Sequence, residues 1–151
     1  MAIVVGVDGS ARSRQALEWA IEEARLRGAG VVATMVYDVP PSLYPYGIPS
    51  SGNPEVAEDV RRGAETSLSN FVDNVWSVAE GVEIETEVVE DAQPARALTD
   101  RAGDGDILVV GSRGLGGFRG LLLGSVSQQV VQHARCPVVV VHPDKAAEPS
   151  S

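Results

Sequence analysis

Hydrophobic positions along this chain follow two rhythms that alternate from one end to the other. Ile3-Val4-Val5-Gly6-Val7 is a continuous apolar run, and Val31 to Tyr37 is a second. Unbroken runs of this length predict strands covered on both faces. Between them Leu17, Ala20, Ile21 and Ala24 recur at i, i+3, i+4, i+7, with Ser10 placed to cap that helix and Gly28 to end it. Asn53-Pro54 opens a long helix with Val56, Val60, Ala64, Leu68, Phe71, Val75 and Val78 on its buried face and Gly81 as its stop. Strict alternation follows from Val82 to Val88. Val82, Ile84, Thr86 and Val88 face one way and Glu83, Glu85 and Glu87 the other, a half-exposed strand suited to a protected edge. Pro94 starts a short helix through Ala97, Leu98 and Ala102, and Ile107 to Val110 is a buried strand running into Gly111. Ser125-Val126-Ser127-Gln128 reads as a capping box for a helix with Val126, Val130, Val131 and Ala134 inside. Val138 to Val141 is the last strand. The order β-α-β-α-β-α-β-α-β predicts an open, mostly parallel α/β sheet with right-handed crossovers.

Two stretches fall outside these rhythms. Residues 38–53 carry four prolines and two glycines, a long loop of the kind that serves as a lid or binding segment. Residues 111–124 hold six glycines, at 111, 114, 116, 117, 120 and 124.

Composition narrows the function. The 151 residues are 44% hydrophobic and 22% charged, an ordinary globular profile for one domain over 1–143 with a flexible C-terminal tail over 144–151. A net charge of −9 argues against a nucleic-acid partner, and no apolar run is long enough for a membrane span. The amino terminus reads as a strand and not as a signal peptide, so the expected location is cytoplasmic. A single cysteine, Cys136, and two histidines leave no disulfide framework and no zinc cluster. The sole lysine, Lys145, lies in the tail. His133 and His142 read as surface residues. Cys136, Trp19 and Trp76 read as packing, and the three glutamates as a solvated strand face.

In open α/β sheets ligands bind beyond the carboxyl ends of the strands, where strand order reverses. Two such ends carry chemistry here: Gly6-Val7-Asp8-Gly9-Ser10 after the first strand, and the glycine-rich stretch after the fourth. The second has the parts of a phosphate cradle. Its glycines let backbone N–H groups converge on an anion, and it empties into a helix N-terminus. Ser125 and Ser127 add hydroxyls, and Arg113 and Arg119 add positive charge. No Gly-Lys-Ser/Thr occurs, so this is no Walker A motif. Arg119 stands where a dinucleotide fingerprint needs its third glycine. On local grounds alone, Asp8 reads first as a turn or capping residue and only second as a ligand contact.

Gly111-x2-Gly114-x9-Gly124-Ser125 resembles the signature of the ATP-binding branch of the universal stress proteins. Val7-Asp8-Gly9-Ser10, Gln93-Pro94-Ala95 and the Cys136-Pro137 strand extend the resemblance over residues 2–142. It implies a Rossmann-like fold of the adenine nucleotide alpha hydrolase type. Its five-stranded parallel sheet has the order 3-2-1-4-5, with helices on both faces. It also implies that Val7 and Asp8 sit by the adenosine, that Val36 reads adenine through its backbone, and that Val110 and Gly111 line the base and ribose. Arg113, Gly114, Gly124, Ser125, Val126 and Ser127 would wrap the phosphates. Arg113 stands where the family often has histidine, and Gly6 where some members have proline. The implied ligand is ATP with a divalent cation, Mg2+, and the implied role is regulatory stress adaptation without catalysis. A slow ATP hydrolase using Asp8 and the loop arginines, and an AMP or cyclic AMP binder using the same cleft, are the alternatives. In that strand order Val138 to Val141 is an apolar edge, so a homodimer through it is expected.

Overall fold

Ile3, Val4 and Val5 lie at the centre of the sheet, fully buried, as their unbroken apolar run requires. They belong to β1 (Ala2–Val7) in a computed structural model that describes residues 1–39, 54–113 and 123–143. β1 pairs in parallel with β2 (Gly30–Tyr37) on one side and with β4 (Ile107–Gly111) on the other. β3 (Ile84–Glu90) adds to β2, and β5 (Val138–Val141) adds to β4. The sheet order is β3-β2-β1-β4-β5, with every pairing parallel. The glutamate-bearing strand is therefore at one edge and the valine strand at the other.

Side-chain alternation sends the strands' residues to two helical layers. Ile3, Val5 and Val7 pack with α1 (Ala11–Arg27) and α2 (Pro54–Asp73). Val4, Val32, Leu108 and Val110 pack with α3 (Pro94–Arg101) and α4 (Ser125–His133). Leu17 and Ile21 are completely buried, each contributing roughly 1.5–3 kcal/mol on removal from water.

α1 begins and ends where its sequence says. Ser10 is its N-cap, accepting from the Ser13 N–H, and Gly28 closes it at φ 65°, a left-handed conformation that glycine adopts without strain. α2 departs from expectation. It ends at Asp73, well short of Gly81, and a single 3-10 turn, Trp76–Val78, follows. The Val78 N–H bonds to the Val75 carbonyl, while the Asn74 carbonyl accepts from Arg14 Nη2 at 3.3 Å. Hydrogen bonding has switched to i+3, and the helix stops. Val75 stays buried through this turn, which is why the helical pattern outlasts the helix. Val72 is buried as well, whereas Val78 is 39% exposed. Trp76 is 71% exposed, so it does not pack as expected.

Two smaller corrections follow. β3 starts at Ile84 and not at Val82, because the Val82 N–H closes a turn onto the Ala79 carbonyl with Gly81 at φ 81°. Gly124, not Ser125, is the N-cap of α4, with no side-chain capping bond, and Val131 is 51% exposed on the outer face. Asn53, the long loop 40–53 with Tyr44 and Tyr46, and the tail over 144–151 lie outside the described residues.

Candidate functional site

β1 and β4 are adjacent, but their crossovers run to opposite sides of the sheet. A crevice must open between their carboxyl ends. The structure has a cleft of about 340 Å³ there, within the range of small-molecule sites. Two turns and two walls make it.

The turn after β1 is laced by short-range hydrogen bonds. Asp8 Oδ1 accepts from the Ser10 N–H at 2.9 Å, and the Asp8 N–H donates to Ser13 Oγ at 3.2 Å. Ser13 Oγ in turn donates to the Ser10 carbonyl at 3.0 Å. Gly9, at φ 85°, allows the chain to fold back. Asp8 thus holds the turn and faces the cleft at once, so the turn role and the site role coincide.

The turn after β4 is tied at both its ends. The Ser112 N–H donates to the Val141 carbonyl at 2.9 Å, continuing the sheet. The Ser112 carbonyl receives the Gly124 N–H at 2.6 Å and the Ser127 hydroxyl at 2.8 Å. Strand end and helix start are held at one oxygen. The first-turn N–H groups of α4 have no intrahelical acceptor, and with the helix dipole they favour a bound anion. Arg113 also lines the cleft.

The remaining walls are apolar. Val36 of β2, Val110 of β4, and Pro94 and Leu98 of α3 supply them. Gly6 completes the floor. A Cβ on Gly6 would lie 2.7 Å from Leu98 Cδ1, so the bare backbone gives Leu98 its seat.

Of the eleven residues singled out in the sequence, ten line this one cleft: Val7, Asp8, Val36, Val110, Gly111, Arg113, Gly124, Ser125, Val126 and Ser127. Gly114 and Arg119 lie outside the described residues. The Ser127 hydroxyl donates to the Ser112 and Gly124 carbonyls, at 2.8 and 3.1 Å. The sequence reading missed Ser13, Thr34, Pro94 and Leu98 as cleft residues. A signal for Thr34 was present: it is a hydroxyl within the apolar β2 run, in step with Val32 and Val36.

Other chemistry-bearing groups stand apart from the cleft. Cys136 is half-buried against the second core cluster, and burial pushes its thiol pKa up, which keeps it protonated. His133 and His142 are exposed. Among the described residues no group of three or more His, Cys, Asp or Glu could hold a metal ion. No described helix is long and apolar enough to cross a membrane.

Fold and cleft together define a Rossmann-like α/β domain with a ligand crevice at its topological switch point. The model of the universal stress protein family matches residues 1–142, and the chain belongs to that family. Universal stress protein Rv2623 of Mycobacterium tuberculosis is 40% identical over 139 residues, which cover 91% of this chain and 44% of that protein. The chain spans about half the length of the mycobacterial relatives it matches. Among solved structures, a universal stress protein in complex with cAMP is 28% identical, with a TM-score of 0.63, covering 94% of this chain and 96% of that one. The universal stress protein from Archaeoglobus fulgidus in complex with dAMP is 26% identical, with a TM-score of 0.57, covering 93% and 96%.

Proposed function

We propose that this chain is an adenine-nucleotide-binding regulatory domain, with ATP as its ligand. The observation that carries the reading is the make-up of the one cleft. An apolar slot between β2, α3 and β4 adjoins a helix N-terminus and Arg113, while Asp8 lies beside them. A flat heterocycle suits the first part and an anion the second. The slot reaches from β2 across β1 to β4, about two strand spacings or ~10 Å, and the helix start lies at its β4 side. A nucleoside phosphate has that elongated shape. The cAMP and dAMP complexes of related proteins support the same class of ligand.

Mg2+ fits the cleft as a companion of the phosphates. Asp8 is the one carboxylate among the described lining residues. That donor set suits an ion that keeps its waters and takes phosphate oxygens, with Asp8 as its protein ligand. When bound, the ion would neutralise phosphate charge inside an acidic chain.

A regulatory role is favoured over hydrolysis because Asp8, as the ion's ligand, leaves no second carboxylate or histidine among the described lining residues to serve as a base. The domain then changes partners or shape with nucleotide state in the cytoplasm. β5 supports a homodimer: four half-buried valines form an open sheet edge, which a second copy would cover.

The test is calorimetric titration of nucleotide-stripped protein with MgATP, AMP and cyclic AMP, beside Gly124→Glu. Gly124 is buried at φ −74° and ψ 173°, a backbone conformation open to any residue; the variant brings a carboxylate to the helix start, and its loss of binding counts only if its melting temperature matches wild type. Micromolar ATP binding that Gly124→Glu abolishes is the expected result. Tighter binding of cyclic AMP would transfer the site to the cyclic nucleotide, and folded wild-type protein that binds none would overturn the reading.

A further inference from the structure

Thr34 is completely buried in the middle of β2, and its hydroxyl has no hydrogen-bond partner. Buried polar groups are nearly always paired, and an orphaned hydroxyl costs the free protein stability that valine in the same shape would not. Although closed to solvent, the residue lies against the floor of the cleft. Its register neighbour on β1 is Gly6, which has no side chain to cover it. In step with Val32 and Val36, Thr34 faces the α3 side of the sheet, where Leu98 and Pro94 also line the cleft. One hydroxyl, able both to donate and to accept, therefore waits within an apolar slot.

We propose that Thr34 is a specificity-determining residue: its hydroxyl hydrogen-bonds the polar edge of a purine base inserted between β2 and α3. This inference rests on the nucleotide reading and assigns the base end of the same cleft. Purine ring nitrogens accept and an exocyclic amine donates, so either can pair the hydroxyl. A ligand carrying phosphates alone leaves it unpaired. The orphan in the free protein becomes a discriminating contact in the complex, because a base without a matching edge keeps the buried group unsatisfied.

Thr34→Val and Thr34→Ser, titrated with MgATP and separately with magnesium tripolyphosphate, test the assignment. Thr34→Val is expected to weaken ATP roughly tenfold and leave tripolyphosphate unchanged. It should also raise the melting temperature of the nucleotide-free protein by roughly 3 °C, since the orphan hydroxyl is gone. Thr34→Ser keeps the hydroxyl and is expected to retain ATP affinity within a factor of three. Thr34→Val binding ATP as wild type does would overturn the assignment and leave the nucleotide reading intact. Equal losses for ATP and tripolyphosphate would also overturn it, since they mark a general distortion. Wild-type protein that binds neither ligand would remove both readings together.

Discussion

The Ser127 hydroxyl donates to the Ser112 carbonyl across 2.8 Å, joining the first turn of α4 to the end of β4. The Gly124 N–H reaches the same oxygen. One buried carbonyl therefore fixes where the chain leaves the sheet and where it re-enters a helix. Ser127→Ala removes one of the two donors and leaves the oxygen paired. The expected loss is about 1 kcal/mol, read as a fall of roughly 2–4 °C in the melting temperature without nucleotide. A hydroxyl whose only work was on phosphate would leave that temperature unchanged.

Gly6 and Leu98 share a space that holds only one of their side chains. An alanine at position 6 would place its Cβ 2.7 Å from Leu98 Cδ1, closer than carbon atoms tolerate. Leu98 is nearly buried and must tilt toward the cleft. Gly6→Ala is expected to cost about 1–2 kcal/mol in urea unfolding and to weaken nucleotide binding. Leu98→Val in the same chain shortens the obstructing arm and should recover part of both losses. Strictly additive effects in the double variant would show that the two residues do not compete.

The legible parts of the molecule were those governed by local rules. The apolar runs of β1, β2, β4 and β5 and the caps of α1 need only short-range physics, and they stand where the pattern puts them. Their spatial order came from the resemblance to a family, since alternation alone does not say which strands adjoin. Tertiary competition decided the rest. The Ser125 capping box gave way because the Gln128 N–H takes the Gly124 carbonyl, which sets the cap one residue earlier, while the Gly124 N–H is held by the Ser112 carbonyl. The end of α2 was hidden because Val75 remains buried after the helix has stopped. Thr34 escaped notice because threonine is at home in any strand, and its meaning depends on the bare Gly6 beside it.

Asp106 ties the amino end of β1 to the turn before β4. Its Oδ1 accepts from the Ala2 N–H and its Oδ2 from the Gly103 N–H, both at 2.9 Å. Those bonds hold its carboxyl pKa below the usual carboxylate value. A depressed folded-state pKa stabilises the fold fully above the unfolded value of about 3.9, and the contribution is lost as pH falls through the folded value. Asp106→Asn is therefore expected to be less stable than wild type by about 1 kcal/mol at neutral pH. Urea unfolding midpoints should stay apart down to about pH 4 and converge below it. A gap that is the same at pH 3 and pH 7 would mean that the carboxylate charge contributes nothing.

The edge strand β5 gives the dimer proposal a directional test. The Leu108 N–H bonds to the Pro137 carbonyl and the Ser112 N–H to the Val141 carbonyl. In a parallel pair the N–H and C=O of one residue point the same way, so residues 137, 139 and 141 are turned to β4. Val138 and Val140 then present their main-chain groups to the open edge. Proline at 140 removes an outward N–H and leaves the bonds to β4 in place, a substitution that edge strands accept. If two copies join edge to edge, wild-type protein sediments at about twice 15.8 kDa and Val140→Pro at 15.8 kDa. Val139→Pro is the contrasting variant, because its N–H faces β4; it should lower the melting temperature of the single chain itself. A wild-type monomer at micromolar concentration would end the dimer proposal. A Val140→Pro dimer would move the contact to another face.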